Sequence, residues 1–175
     1  MTKFFLNTLA PFALLAALAA GGCANYQLGT TLAKELRTVY VPTVKNETMQ
    51  PSADIELTRA ILNEIRREGT LRITTEEKAA TRLDVVVIGY RQDSIRYNQN
   101  NANMPEEYRM VLRAKSTFSH NTADPESRKS IISQTLEGDE TFTRGTDTIT
   151  AQQRCLPRAA EKLAEQIVDA CVSAW

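Results

Sequence analysis

"YRMVLRAKSTF", residues Tyr108 to Phe118, carries two different surfaces on alternate positions. Tyr108, Met110, Leu112, Ala114 and Phe118 fall on one side, and Arg109, Arg113 and Lys115 on the other. A period of two predicts a half-buried β-strand, oily towards a core and basic towards water. Such a strand needs a sheet around it and a layer over its apolar face. The neighbouring stretches supply both. On the N-terminal side, "LDVVVIGYRQDSIRYN" (Leu83 to Asn98) is rich in Val, Ile and Tyr and reads as a long central strand, apolar on both faces in its early part. On the C-terminal side, "NTADPESRKS" reads as a turn, and "IISQTLEGDETF" (Ile131 to Phe142) as a third long strand. Between the first two, the uncharged Asn-rich tip "NQNNANMPEE" reads as a connection.

Further out, the pattern changes to helix. Leu57, Ile61 and Ile65 recur every four residues within Ile55 to Glu68, with Ala60 beside them. Pro51 and Ser52 are placed to open this amphipathic helix, and Gly69 to close it. The last segment, from about Thr148 to Ala174, sets Leu156, Leu163, Ile167 and Cys171 along one side of a second helix. Pro157 should either kink it or mark its true start. "RTVYVPTV" (Arg37 to Val44) reads as a short strand with Pro42 at or near an edge, and "LRITT" as another short strand. The expected fold is therefore α+β: a two-layer sandwich whose mainly antiparallel or mixed sheet of about four strands is covered on one face by two helices.

The N-terminus has a different character. After Lys3 no charge occurs before Cys23, and Leu9 to Ala20 is almost wholly Ala, Leu and Phe. That run is shorter than the about 20 residues a helix needs to cross a bilayer core. A short basic start, a brief apolar stretch and small residues at its end describe a secretory signal peptide. Ala20, Gly21, Gly22 and Cys23 resemble the lipobox of bacterial lipoproteins, with Ala20 where Leu is more usual. That resemblance implies removal of residues 1–22 and acylation of Cys23. Two acyl chains would hold the protein stably on a membrane, since each buried CH₂ contributes about 0.8 kcal/mol. Residues 23–36 then form a lipidated tether and residues 37–175 a single domain. Ala24, in place of an Asp, is compatible with sorting to the outer membrane.

Composition narrows the functional classes. The chain has 21 basic and 21 acidic residues, so broad electrostatic binding of nucleic acid is not expected. His120 is the single histidine and stands in the turn-like "SHNTAD", a surface structural setting. No phosphate-binding Gly loop, His-Glu-x-x-His helix, G-x-S-x-G elbow or C-x-x-C pair occurs, so neither an enzyme nor a metal or cofactor site is expected. Asn46-Glu47-Thr48 matches a glycosylation sequon but reads more simply as a turn in which Asn and Thr bond the backbone. Cys155 and Cys171 lie sixteen positions apart, about 24 Å on a continuous helix, too far for a disulfide. They are expected as buried free thiols. Tyr26, Tyr90, Tyr97 and Tyr108 either anchor a partner or fill core and rim. Arg109, Arg113 and Lys115, with Arg91, Arg96, Arg128 and Lys129 nearby in sequence, form the one candidate ligand surface, because guanidinium groups grip phosphate.

Taken in order, these segments resemble the LptE family of lipopolysaccharide-assembly lipoproteins. The resemblance rests on "GCANYQL" after the signal peptide, on "VYVPTVKNETMQP" as first strand and turn, and on "IELTRAILNEIRR" as first helix. "LDVVVIGYRQDSIRYN", "EEYRMVLRAKSTF" and the closing helix "AAEKLAEQIVDACVSAW" follow in the same order. It implies a non-enzymatic outer-membrane lipoprotein on the periplasmic side that plugs an LptD β-barrel, supports its assembly and helps deliver lipopolysaccharide to the outer leaflet. It also implies lipopolysaccharide binding through basic residues, of which Arg109, Arg113 and Lys115 are this sequence's own candidates. "VPTVKNET" is similar as well to periplasmic lipoproteins that activate peptidoglycan synthases and to the amino-terminal domain of TolB-like proteins. The tether of about a dozen residues reaches at most ~40 Å, which favours a partner at the membrane over that alternative.

Overall fold

A computed structural model describes residues 33–98, 101–144 and 148–173. The signal peptide, Cys23, Tyr26 and most of the tether lie outside the described residues. The strands are β1 (Thr38–Tyr40), β2 (Lys45–Asn46), β3 (Arg72–Ile73), β4 (Thr81–Asn98), β5 (Asn101–His120) and β6 (Ser130–Thr143). The helices are α1 (Ala53–Glu68) and α2 (Thr148–Val172). One six-stranded sheet runs β3-β1-β4-β5-β6, with β2 also paired to β4. The class is α+β, as expected, with two more strands than the sequence suggested.

The short strands raise the number, and one of them arises from a break at Pro42. "RTVYVPTV" is not one strand: β1 pairs parallel to β3 and to the start of β4, while β2 pairs parallel to β4 further along, at Val86 and Val87. Pro42 has no N–H to give a ladder, so pairing lapses there and resumes after it. The three long strands are antiparallel, β4 to β5 and β5 to β6. Strand pairing also runs into the Asn-rich tip. β4 continues to Asn98 and β5 begins at Asn101, so much of the stretch expected as a connection belongs to the hairpin. Backbone pairing is indifferent to side-chain polarity, which is what the tip's composition reports.

Burial on β4 alternates. Leu83, Val85 and Val87 are buried while Asp84 and Val86 are half-covered, so the strand is central but buried on one face only. Those inward residues join Met110, Leu112, Ala114 and Phe118 of β5 in one core with both helices. α1 contributes Leu57, Ala60, Ile61 and Ile65, the face its spacing predicted. Gly69 closes it in the left-handed region, φ 82°, its N–H donating to the Ile65 carbonyl at 3.1 Å. α2 contributes Leu156, Leu163, Ile167 and the small residues Ala159, Ala160 and Ala164.

Pro157 does not begin α2, which starts at Thr148 and runs through it. The donor Pro157 lacks would have served the carbonyl of exposed Gln153, where water can substitute. Cys155 and Cys171 are both buried and free, as the helical spacing predicts. The Asn46–Thr48 sequon is a side-chain-bonded turn. Asn46 Oδ1 accepts from the Thr48 N–H at 2.9 Å and from its hydroxyl at 2.7 Å, and Asn46 Nδ2 donates to the Gln50 carbonyl at 2.9 Å.

Candidate functional site

Both helices sit on one face of the sheet, which leaves the other face bare. Arg109, Arg113 and Lys115 all project from that bare face of β5, as their alternation required, and all three are exposed. Their neighbours are set by register. Arg113 lies between Gly89 of β4 and Glu137 of β6; Lys115 lies between Val86 and Thr135; Arg109 lies between Asp93 and Thr141, with Asp139 one step along.

The consequence is a charge lattice in place of a basic patch. Arg113 Nε donates to Glu137 Oε1 at 2.6 Å, and Arg91 reaches the other oxygen of Glu137 at 3.6 Å. Arg91 also bonds Asp93 at 3.0 Å, and Arg109 stands 3.6 Å from Asp139. The Arg113 hydrogen bond, seconded by the charges of Arg113 and Arg91, holds the Glu137 carboxyl below the usual glutamate range. Hydrogen bonding to Asp93 and the nearby Glu137 carboxylate hold the Arg91 guanidinium in its charged form. Lys115 differs, since its cross-strand neighbours are neutral and it makes no ion pair among the described residues. Val111, although on this outer face, is only 3% exposed. It lies in register between Arg91 and Asp139, with Arg109 and Arg113 two residues to either side, so the aliphatic stems of the arginines cover it.

Of the other basic residues grouped with this face, Arg96 pairs with Glu107 at 3.5 Å near the hairpin tip. Arg128 and Lys129 belong to the β5–β6 loop, where Arg128 Nε donates to the Thr122 carbonyl at 3.3 Å, and they do not join the lattice. The residues missed by sequence reasoning are the acids, Glu137 and Asp139 above all. Their spacing of two within "TLEGDET" was the available signal. It becomes decisive only when the β5–β6 register places that pair beside Arg109 and Arg113.

The aromatic residues divide. Tyr108 stacks on Phe142 with ring centroids 5.5 Å apart, and the Tyr90 hydroxyl accepts from Gln152 Nε2 at 3.2 Å, so both serve the core rim. Tyr97 is half exposed near the hairpin tip, where Ile95 and Met104 are exposed too. His120 ends β5 opposite Thr81 and is half-buried. Among the described residues no three His, Cys, Asp or Glu side chains are grouped to hold a metal ion, and no helix is long and apolar enough to cross a membrane.

The sequence profile of the LptE lipopolysaccharide-assembly family matches residues 36–170, which takes in every strand and most of both helices. The chain belongs to the LptE family. Solved structures with the same fold are distant in sequence. XCC0632 from Xanthomonas campestris is 11% identical with a TM-score of 0.57, covering 87% of this chain and 90% of its own. CT253 from Chlamydia trachomatis is 8% identical with a TM-score of 0.55, covering 78% and 96%. The rare lipoprotein B from Shewanella oneidensis is 13% identical with a TM-score of 0.50, covering 77% and 94%. At these identities the likeness shows the fold alone. No curated protein matches the chain by sequence. LptE membership therefore rests on the family profile, and the structural neighbours add the fold alone.

Proposed function

We propose that this LptE-family chain is a non-enzymatic outer-membrane lipoprotein, anchored through acylated Cys23 on the periplasmic side. Its folded domain seats inside an LptD-type β-barrel, supports the barrel's assembly and assists delivery of lipopolysaccharide to the outer leaflet. The observation that carries this reading is the bare sheet face. It is left uncovered by the helices, yet its arginines are matched by carboxylates on the same or adjacent strands, and only Lys115 stands without an ion pair among the described residues. Such a wall can stand against a polar, water-lined surface without burying an unpaired guanidinium. The lumen of a transmembrane barrel is that kind of surface. The family match favours this reading over activation of a peptidoglycan synthase.

Arg109, Arg113 and Lys115 are proposed to meet lipopolysaccharide phosphates. The two arginines would exchange a carboxylate for a phosphate, whereas Lys115 has no ion-pair partner among the described residues to give up. Pull-down of the tagged, lipidated protein from detergent-solubilised outer membranes tests the main reading. A large β-barrel protein recovered in stoichiometric amount is the expected result. A peptidoglycan synthase recovered without a barrel would overturn it.

A further inference from the structure

Among the described residues β6 is the margin of the sheet, and its edge carries few of the usual guards, the inward-turned Glu140, held by Lys162 at 2.7 Å, being the exception. Natural sheets blunt such edges with brief strands, bulges, Pro or Lys, because unpaired backbone groups recruit other strands. The opposite margin is guarded by brevity, since β3 is only two residues long. Beyond β2, β4 itself is interrupted by bulges between Val87 and Gly89 and between Ser94 and Arg96 in its ladder with β5. β6 has 14 residues and contains no Pro, Lys or Arg. Its register with β5 is unbroken from Ile132 to Thr143.

The phase of the ladder says which groups are free. Arg144 N–H donates to the Glu106 carbonyl at 2.7 Å, so the backbone groups of even-numbered positions face β5. Those of Ser133, Thr135, Glu137, Asp139 and Thr141 therefore point away from the sheet. Among the described elements only β5 and α2 pack substantially on β6, and α2 lies on its inner face.

The geometry points to β6 as a strand-addition site for an extended segment of a partner protein with Lys or Arg at alternate positions. Main-chain hydrogen bonds would supply the affinity and alternate side chains the choice of partner. The charge preference comes from the strand's own ionisable residues, Glu137, Asp139 and Glu140, which are all acidic; Glu137 is shared by Arg113 and Arg91 and Glu140 is held by Lys162, which leaves Asp139 to meet the partner. Asp139 is the least committed of them: its side chain is 52% exposed and its ion pair with Arg109 is a long 3.6 Å. A carboxylate has lone pairs for more than one donor, so a basic residue directly across the new edge adds to the existing pair without replacing it. A second copy of this chain is the poorer occupant, because it would bring the same three acids to the same edge. This inference does not depend on the barrel reading, and the pull-down could fail with the strand-addition site intact.

The test uses the full lipidated protein in detergent and two synthetic nine-residue peptides of alternating Val and Thr. One carries Lys and the other Glu at alternate outward positions. The Lys peptide is expected to bind and to slow amide exchange at Thr135, Glu137 and Asp139, while the Glu peptide does neither. Thr135→Pro removes an outward N–H without taking a bond from β5, and should weaken binding about tenfold. Asp139→Asn, which keeps the backbone intact, should weaken the Lys peptide and leave the Glu peptide unchanged. Absence of Lys-peptide binding, equal binding of both peptides, or protection confined to other segments would overturn the inference. So would the free protein dimerising with these same amides protected.

Discussion

Gly138 lies on the inner face of β6, directly under α2. A Cβ built there would stand 2.6 Å from Leu163 Cβ and 2.7 Å from Leu163 N, closer than real side chains come. A single methyl therefore forces the helix off the strand, and the packed row of Ala159, Ala160 and Ala164 goes with it. Gly138→Ala should cost about 2 kcal/mol, the range of overpacking in a filled core. A urea denaturation midpoint lowered at constant m-value is the expected reading. The two cysteines make a second prediction at this scale. Burial, joined by the Glu140 carboxylate, pushes the Cys155 thiol up to about 11, and burial alone pushes Cys171 up to about 12. Both thiols stay protonated at neutral pH and should resist a disulfide reagent until the chain unfolds. Stability should be undiminished below the ordinary thiol pKa of 9.0 and fall as the pH climbs from there towards about 11, because the unfolded thiols ionise first. Thermal melts across that range check the sign.

The strands raise the question of what a sequence can disclose. The two faces of β5 were legible because alternation is local, and the helices because their apolar spacing is local. The Pro42 break and the acidic neighbours of Arg109 and Arg113 were not, since each depends on which residue stands across a ladder. Those neighbours are testable as a property of the element. Glu137 is held below the ordinary glutamate value of 4.5, first by the Arg113 hydrogen bond and then by the charges of Arg113 and Arg91. A depressed carboxylate contributes stability above its ordinary pKa and loses it as pH falls through the folded value. A carboxyl-resolved NMR titration should thus find the Glu137 midpoint below 4.5, and Arg113→Gln should move it upward. An unshifted midpoint in the native protein would mean that β4, β5 and β6 are not joined by this ionic contact in solution.

For the whole molecule, the bare face has to serve two proposed partners, a protein wall and a phosphorylated lipid, and the ion pairs allow them to be separated. Reversing Lys115 breaks no ion pair among the described residues and leaves Val86 and Thr135 as its neutral neighbours. Lys115→Glu should therefore lower lipopolysaccharide binding severalfold while leaving the thermal midpoint unchanged. Arg113→Glu sets one carboxylate against another across β5 and β6, where like charges directly opposite destabilise a sheet. It should lower lipopolysaccharide binding and the thermal midpoint together. Barrel recovery in the pull-down should survive Lys115→Glu, because one exposed side chain contributes little to an interface spread over a sheet face. Retained lipid binding with loss of the barrel would reverse the assignment: the basic row would then belong to the protein contact, and the phosphate site would have to be sought elsewhere on the molecule.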